Sequence, residues 1–127
     1  MMKRVIFTGL VLMVSMAAMA QEIMDDGSKV RLPLEAQLCK LPSAPAPIPE
    51  VPEKPDLLKA QKAIKLFQAE MENYRFCLDE DSDDKSLSSG NLQAISNAHN
   101  YSVDMEERVA GMFNTAVRAY KANLAEK

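Results

Sequence analysis

The chain has 127 residues, and its 15 lysines and arginines stand against 18 aspartates and glutamates, a formal net charge of −3. Lys3 and Arg4 lie in the first 20 residues, so residues 21–127 keep 13 cations against 18 acids, a net charge of −5. An acidic chain without a basic amphipathic helix argues against nucleic acid and against an anionic membrane surface as partners.

Residues 1–20 have the pattern of a secretory signal peptide. Two cations precede an apolar run at residues 5–18, and Ala18 and Ala20 form an A-x-A cleavage site. The apolar run is short for a bilayer span, and no later segment is suitable. We therefore expect export, cleavage near Ala20/Gln21, a periplasmic location and no stable membrane anchor after cleavage.

Cys39 and Cys77 are the two cysteines of the sequence. An exported chain with two cysteines most simply pairs them, and the closed loop would stabilise the fold by about 3 to 4 kcal/mol. Two free thiols or intermolecular bridges are the alternatives. A redox-active pair is disfavoured because C-x-x-C spacing is absent.

Residues 21–55 are predicted to form an N-terminal lead and a proline-rich extended arm. Asp25–Ser28 indicates a turn or a disordered lead, and the segment after Pro33 is compatible with one helical turn. In residues 41–55 proline recurs at nearly every second or third position, which favours polyproline II. An extended chain from Cys39 to Asp56 would reach roughly 50 Å, whereas a helix from Leu57 to Cys77 covers about 30 Å. The arm is therefore long enough to run back along the first helix. A ligand for a proline-binding domain is the alternative interpretation.

The first helix is predicted at residues 56–79. Its apolar residues recur at spacings of three and four, which is typical of an amphipathic helix, and Asp56 suits the positive end of the helix dipole. Acidic residues after Leu78 and the turn-rich KSLSSGN segment predict a loop at residues 80–90. The seven apolar positions are Leu57, Ala60, Ile64, Phe67, Met71, Tyr74 and Leu78.

The second helix is predicted at residues 91–124, with Ser89 or Asn91 as its N-cap. Its main apolar stripe is Ile95, Ala98, Ser102, Met105, Val109, Met112, Ala116 and Ala119, widened by Phe113, Val117, Tyr120 and Leu124. Because this helix is about ten residues longer than the first, roughly 15 Å of it has no partner there.

The predicted fold class is all-α. Residues 56–127 form a two-helix antiparallel hairpin, and the proline-rich extended arm is disulfide-linked to the first helix. The arm or a second copy of the chain would cover the longer helix, and a homodimer would form a four-helix bundle.

The acidic run DEDSDD at residues 79–84 invites comparison with an EF-hand loop, since its first, third and fifth residues are aspartates. The match fails at position six, where Asp84 replaces the required glycine, and at position twelve, where Gly90 replaces the bidentate glutamate. We interpret the run as a solvated loop, with weak divalent-metal binding as the alternative.

His99 is the single histidine, so a multi-histidine metal site is excluded, and its helical neighbours supply no set of nucleophile, base and orienting group. Met71, Met105 and Met112 lie on the apolar stripes, where packing is favoured over copper ligation. With no glycine-rich phosphate loop and no haem motif, we assign no catalytic, cofactor-binding or metal-binding residue and no cofactor.

A cysteine before a proline run, the F-x6-Y-x-x-C motif ending at Cys77 and HNYSVDMEERVAGMFN at residues 99–114 resemble, as a set, a group of short exported proteins of Gram-negative bacteria. The resemblance covers about Cys39 to Lys121. It implies a periplasmic location and a helical, disulfide-closed mature chain, and it implies no activity.

These observations predict a non-enzymatic periplasmic protein that binds a protein partner or itself through the apolar surplus of the second helix. An envelope-stress or holdase-like chaperone accessory is one alternative. Weak divalent-metal binding at residues 79–84 is another.

Overall fold

The computed structural model describes residues 22–126, so the expected signal peptide lies outside the described residues. Three helices follow one another in this range: α1 at Leu34–Gln37, α2 at Lys54–Ser82 and α3 at Ser89–Ala125. No named strand occurs among the described residues. The predicted helical class is confirmed.

Residues 22–31 form a short turn structure ahead of the first helix. The Gly27 N–H donates to the Met24 carbonyl at 2.9 Å, and Ile23 pairs with Lys29 in an isolated antiparallel bridge. Gly27 has a φ of +83°, a left-handed conformation that glycine adopts at little cost. Of the two expectations for this segment, a turn or a disordered lead, the structure has the turn.

Helix α1 is the single helical turn expected after Pro33. The Pro33 backbone is extended, with φ −63° and ψ 157°, and its carbonyl accepts the Gln37 N–H at 3.1 Å. Ala36 is buried, and the turn ends just before Cys39, which is also buried. This turn therefore points the chain inward at the cysteine.

Residues 40–53, which we call the arm, contain neither helix nor strand. Five of the seven prolines lie here. Proline has no N–H to donate and a fixed φ, so a segment this rich in proline disfavours both helix and sheet. Pro42 and Pro52, near the two ends of the arm, are buried.

Helix α2 begins at Lys54, and Pro55 lies in its first turn, where its missing N–H costs no hydrogen bond. Glu53 is the N-cap, and its N–H donates to Asp56 Oδ2 at 2.9 Å. Asp56 thus supports the helix start through a hydrogen bond as well as through the dipole.

Helix α2 ends later than predicted, at Ser82 rather than near residue 79. An acid near the negative end of a helix dipole costs only about 0.3 to 1 kcal/mol, and residues 79–82 contain no glycine or proline to stop the helix. The Ser82 hydroxyl donates to the Asp79 carbonyl at 2.7 Å in the last turn. The loop is therefore residues 83–88 instead of 80–90.

Helix α3 begins at Ser89, before the predicted start, and its N-cap is Ser88 rather than Ser89 or Asn91. The Asn91 N–H donates to Ser88 Oγ at 3.0 Å, and the Ser88 N–H donates to Asn91 Oδ1 at 3.1 Å. This reciprocal capping box makes Asn91 the partner of the cap. From there the helix is continuous through Gly111 to Ala125.

Helices α2 and α3 run antiparallel. Arg75 of α2 contacts Glu106, while the earlier residue Ile64 lines a cavity with the later residue Val109. The core lies along this contact and also receives Ala36 and Cys39. Its buried members on the two helices are Phe67, Met71, Tyr74, Leu78, Ile95 and Val109.

The hairpin has two unlike ends. Helix α3 has 37 residues and α2 has 29, so α3 is longer by about 12 Å at 1.5 Å per residue. We call residues 22–39 and 77–92, which include the 83–88 loop, the loop end. Residues 51–60 and 112–126 are called the open end.

Candidate functional site

Cys39 and Cys77 form a disulfide, as predicted, with their Cα atoms 5.8 Å apart. Neither free thiols nor a bridge between chains is needed to account for these two residues. The bond ties the start of the arm to the C-terminal third of α2, one residue before buried Leu78. It therefore fixes the N-terminal segment against the core.

Asp81 lies beside the disulfide, one turn after Cys77 on α2. Its Oδ2 atom is 3.4 Å from Cys39 Sγ. A disulfide sulfur has no proton, so this is a close contact and not a hydrogen bond. In residues 22–126 the one group of three His, Cys, Asp or Glu ligand atoms within 4.8 Å of one another is Cys39, Cys77 and Asp81.

Asp81 is the residue of this group that sequence analysis missed. The available signal was its spacing of four residues from Cys77, which places the two on one face of a helix. That signal needs α2 to continue past residue 79, and the predicted loop began there. The late end of α2 is thus what brings a carboxylate to the sulfurs.

The other acids of residues 79–84 do not converge in the structure. Asp79 and Glu80 are exposed on α2, and Asp83 is the exposed C-cap. Asp84 accepts the Ser86 N–H at 2.9 Å and the Ser86 hydroxyl at 2.7 Å, and these bonds lower the pKa of the Asp84 carboxyl. The helical part of the run spreads its carboxylates around the axis, unlike the ligands of a calcium loop.

A polar cluster joins the middle of α2 to α3. Arg75 Nη2 lies 3.1 Å from Glu106 Oε2, and Arg75 Nη1 donates to Ser102 Oγ at 3.4 Å. Ser102 is 0 % exposed, and its hydroxyl donates to the His99 carbonyl at 2.6 Å. A buried hydroxyl engaged in two hydrogen bonds cannot reach a substrate. The cluster therefore serves helix pairing.

Met71 and Met105, two of the methionines singled out in the sequence, pack in or against the core, whereas Met112 is half exposed. Met71 is fully buried, Met105 packs against the core, and Met112 lines a cavity beneath the arm. His99 is half-buried and joins no three-membered group of candidate metal ligands in the described part of the chain. The packing role expected for the methionines is confirmed for Met71 and Met105 and only in part for Met112.

The arm and the two helices enclose a small apolar cavity of ≈ 50 Å³. Its lining residues are Ala44, Pro45, Ala46, Ile48, Ala60, Ile64, Val109 and Met112. A cavity of this size is far smaller than the about 300 to 1,000 Å³ of ordinary ligand pockets. It is a packing gap under the arm rather than a substrate pocket.

Apolar side chains remain exposed at the open end. Leu58 and Leu124 are each 51 % exposed and Met112 is 50 % exposed. Two open grooves of ≈ 570 Å³ each lie here, one between residues 47–50 and α3 and one between residues 51–55 and the end of α3. The arm and α2 thus leave part of the α3 apolar face uncovered.

Residues 26–31 and the start of α3 form a set of contacts that we call the N-terminal latch. The Gly90 N–H donates to Ser28 Oγ at 2.9 Å, and the Asn91 side-chain amide donates to the Arg31 carbonyl at 2.7 Å. Gly90 is buried against the Lys29 backbone. The latch satisfies one of the free N–H groups at the start of the helix.

Asp26 completes the latch from the solvent side. Its carboxylate accepts the Ser28 hydroxyl at 2.6 Å and the Ser28 N–H at 2.9 Å. The two bonds from Ser28, helped by the neighbouring Ser89 side chain, lower the pKa of Asp26 from 3.8 to about 2. A chain of hydrogen bonds therefore runs from the Gly90 N–H through Ser28 to a carboxylate.

Comparison with family models, with curated proteins and with solved structures gives no match for this chain. Among residues 22–126, no helix combines the length and the apolar character needed to cross a bilayer. The intramolecular disulfide is in keeping with an exported protein.

Proposed function

We propose that the protein is a non-enzymatic periplasmic module, related to the short exported proteins that its sequence resembles, which binds a second copy of itself through its open end. A different periplasmic protein is the alternative partner for the same surface. The observation that carries this proposal is the exposure of Met112 and Leu124 on α3, together with that of Leu58 near the start of α2 at the same end of the hairpin.

The monomer buries this face of α3 only in part, with Ala116 as its buried member beyond residue 112. Phe113, Val117 and Tyr120 are only half-buried, although they continue the stripe that is buried at Val109. Burying one such side chain fully contributes about 1.5 to 3 kcal/mol relative to leaving it exposed. A partner helix laid along residues 112–124 of α3 therefore has a substantial apolar surface to gain.

A second copy suits this surface because its own α3 carries the same partly exposed apolar side chains. Two hairpins related by a two-fold axis can pack the two α3 ends against each other and complete a four-helix bundle. Such an interface is self-complementary, so no other sequence is required to explain it.

The non-enzymatic part of the proposal rests on how the candidate polar groups are used. Ser102 and Arg75 are engaged between the helices, and Glu106 pairs with Arg75. The periplasmic location rests on the signal-peptide pattern and on the disulfide.

The test is sedimentation equilibrium of the oxidised chain 21–127 from micromolar to millimolar concentration. We expect a reversible dimer, and the double variant Leu58→Glu/Leu124→Glu should weaken its association by at least about 100-fold, because two buried charges would each cost several kcal/mol. Leu92→Glu is the matched control, since Leu92 is a 46 % exposed leucine of α3 at the loop end. It should leave the association unchanged.

A monomer throughout this concentration range would contradict self-association. Equal losses of association for the open-end double variant and for Leu92→Glu would also contradict it, because the open end would then not be the interface. Nuclear magnetic resonance of the dimer adds a direct readout: chemical-shift changes on dilution should concentrate in residues 112–124.

A holdase-like chaperone accessory is the second candidate, favoured by a separate observation at the disulfide. Leu38 and Phe76 each directly precede a bridged cysteine, and both are largely exposed. Unfolded clients bind to such apolar side chains without specific sequence. A light-scattering assay of an aggregating client should then show suppression that Leu38→Ser/Phe76→Ser removes, and no suppression at molar excess would exclude the idea.

A further inference from the structure

We propose that the disulfide and Asp81 form a redox-gated metal site: once the disulfide is reduced, Cys39, Cys77 and Asp81 bind one thiophilic divalent cation such as Zn²⁺. This goes beyond the proposed self-association and does not depend on it. The proposal starts from the three ligand atoms that lie within 4.8 Å of one another.

The distances suit a tetrahedral zinc site. With Zn–S near 2.3 Å and Zn–O near 2.0 Å, two ligands at the tetrahedral angle lie about 3.5 Å apart for S and O and about 3.8 Å apart for S and S. Asp81 Oδ2 is already 3.4 Å from Cys39 Sγ. The two sulfurs have only to separate by side-chain rotation, which their Cα separation of 5.8 Å allows. A water molecule would take the fourth position.

The local charge also favours a cation in the reduced state. Cys77 and Asp81 lie near the C-terminal end of α2, where the helix dipole is negative, and the last turn of α2 contains no basic residue. Arg75, the nearby cation on α2, pairs with Glu106. Two thiolates and a carboxylate at this place need a positive partner, and a divalent cation supplies it.

The redox step balances with a dithiol as the reductant. The dithiol attacks the disulfide, the Cys39–Cys77 bond breaks, and two electrons and two protons pass to the protein, giving two thiols and the cyclic disulfide of the reductant. Metal binding then releases the two thiol protons. The bound metal replaces the covalent link, so the segment before the arm stays attached to α2 in both the oxidised and the metal-bound reduced chain.

The site is built by the fold and not by sequence proximity. Cys39 comes from the segment after α1, whereas Cys77 and Asp81 are one turn apart on α2. A flexible dithiol would bind zinc through its sulfurs alone, whatever the residue at position 81. A measurable contribution of Asp81 to the metal affinity would therefore distinguish a preformed site from adventitious binding by the two thiolates.

The experiment uses chain 21–127, reduced, freed of reductant without air and titrated with Co²⁺ as a visible probe, then with Zn²⁺ in competition. We expect one metal per reduced chain, with thiolate-to-cobalt charge-transfer absorption, and no binding by the oxidised chain. Asp81→Asn should weaken the affinity at least about tenfold. Asp79→Asn, an exposed aspartate of the same helix, is the matched control and should have no effect.

Three outcomes would overturn the proposal: binding by the oxidised chain equal to that of the reduced chain, equal affinities for Asp81→Asn and Asp79→Asn, or one metal shared by two chains. Circular dichroism of each reduced variant monitors the fold. If the reduced chain is unfolded without metal, Zn²⁺ should restore its helical signal at lower concentration with aspartate at position 81 than with asparagine, and equal concentrations would again contradict the site.

Discussion

The loop end and the open end of the hairpin are built from the same two helices but are held together in different ways. At the loop end a disulfide, the N-terminal latch and the fully buried Leu78 join three segments of the chain. At the open end the arm and the helices leave Leu58 and Leu124 half exposed. The covalent link and the N-terminal latch therefore lie at the loop end, although Leu34 and Leu38 are exposed there as well.

The largest expected effect tests the covalent part of the loop end. Cys39→Ser/Cys77→Ser should lower the free energy of unfolding by about 4 kcal/mol, because the disulfide closes a loop with a sequence separation of 38. Urea unfolding followed by circular dichroism measures this. Metal-free reduced wild type should match the double serine variant, and a loss below about 1 kcal/mol would mean that the loop end does not depend on its disulfide.

A matched pair of leucines compares the packing of the two ends. Leu78→Ala should cost about 3 kcal/mol because Leu78 is 0 % exposed, whereas Leu124→Ala should cost well under about 1 kcal/mol in the monomer. Urea unfolding at low protein concentration measures both. Similar losses for the two variants would show that Leu124 at the open end is packed as tightly as Leu78 at the loop end.

The buried face of α2 was predictable because burial on a helix repeats with each turn. Phe67, Met71, Tyr74 and Leu78 all follow the spacing of three and four, and all are buried. The same periodicity placed Met112 on the stripe of α3, but periodicity carries no information on how far a partner helix extends. The exposure of Met112 depends on the tertiary arrangement of the arm and α2.

The disulfide was predictable from cysteine number and the expectation of export, whereas the latch was not. Ser28 and Gly90 are 62 residues apart, and their contact depends on a backbone N–H rather than on a recognisable side chain. Asp81 was missed for a different reason, since local charge suggested an early helix end. The sequence pattern therefore lacks two kinds of information here. It does not show backbone contacts between distant segments, and it does not resolve the small energy differences that decide where a helix ends.

Two glycines in α3 differ in the space around them, so replacing each by alanine should change the free energy of unfolding in opposite directions. A Cβ at position 90 would lie 2.0 Å from the Lys29 carbonyl oxygen, so Gly90→Ala must displace the latch and should destabilise by about 1 to 3 kcal/mol. Gly111 has open space around its Cβ position, so Gly111→Ala should stabilise α3 by about 0.5 to 1 kcal/mol. Urea unfolding measures both. A Gly90→Ala variant as stable as the wild type would contradict the close packing at the latch, and a destabilised Gly111→Ala variant would contradict the open space at that position.

The smallest expected effect is the pH dependence of the latch at Asp26. Because the pKa of Asp26 is lowered to about 2 from 3.8, its ionised form is favoured in the folded state. Its contribution to stability is therefore fully present above pH 4 and is lost as the pH falls from about 4 to about 2. The side chain is solvent-exposed, so the effect should be confined to the latch and leave the hairpin intact.

Amide hydrogen exchange at Gly90 and in residues 28–31 should report this local loss. In wild type the protection of these amides should fall between pH 4 and pH 2 relative to the amides of Met71 and Leu78, whereas Asp26→Asn should show lower protection already at pH 5 and no further relative fall. Asp25→Asn is the control, because the Ser28 bonds go to Asp26. Suppose Asp26→Asn kept the wild-type pH dependence of amide exchange. The charge of the Asp26 carboxylate would then contribute nothing to the latch, and Ser28 alone would hold the Gly90 N–H.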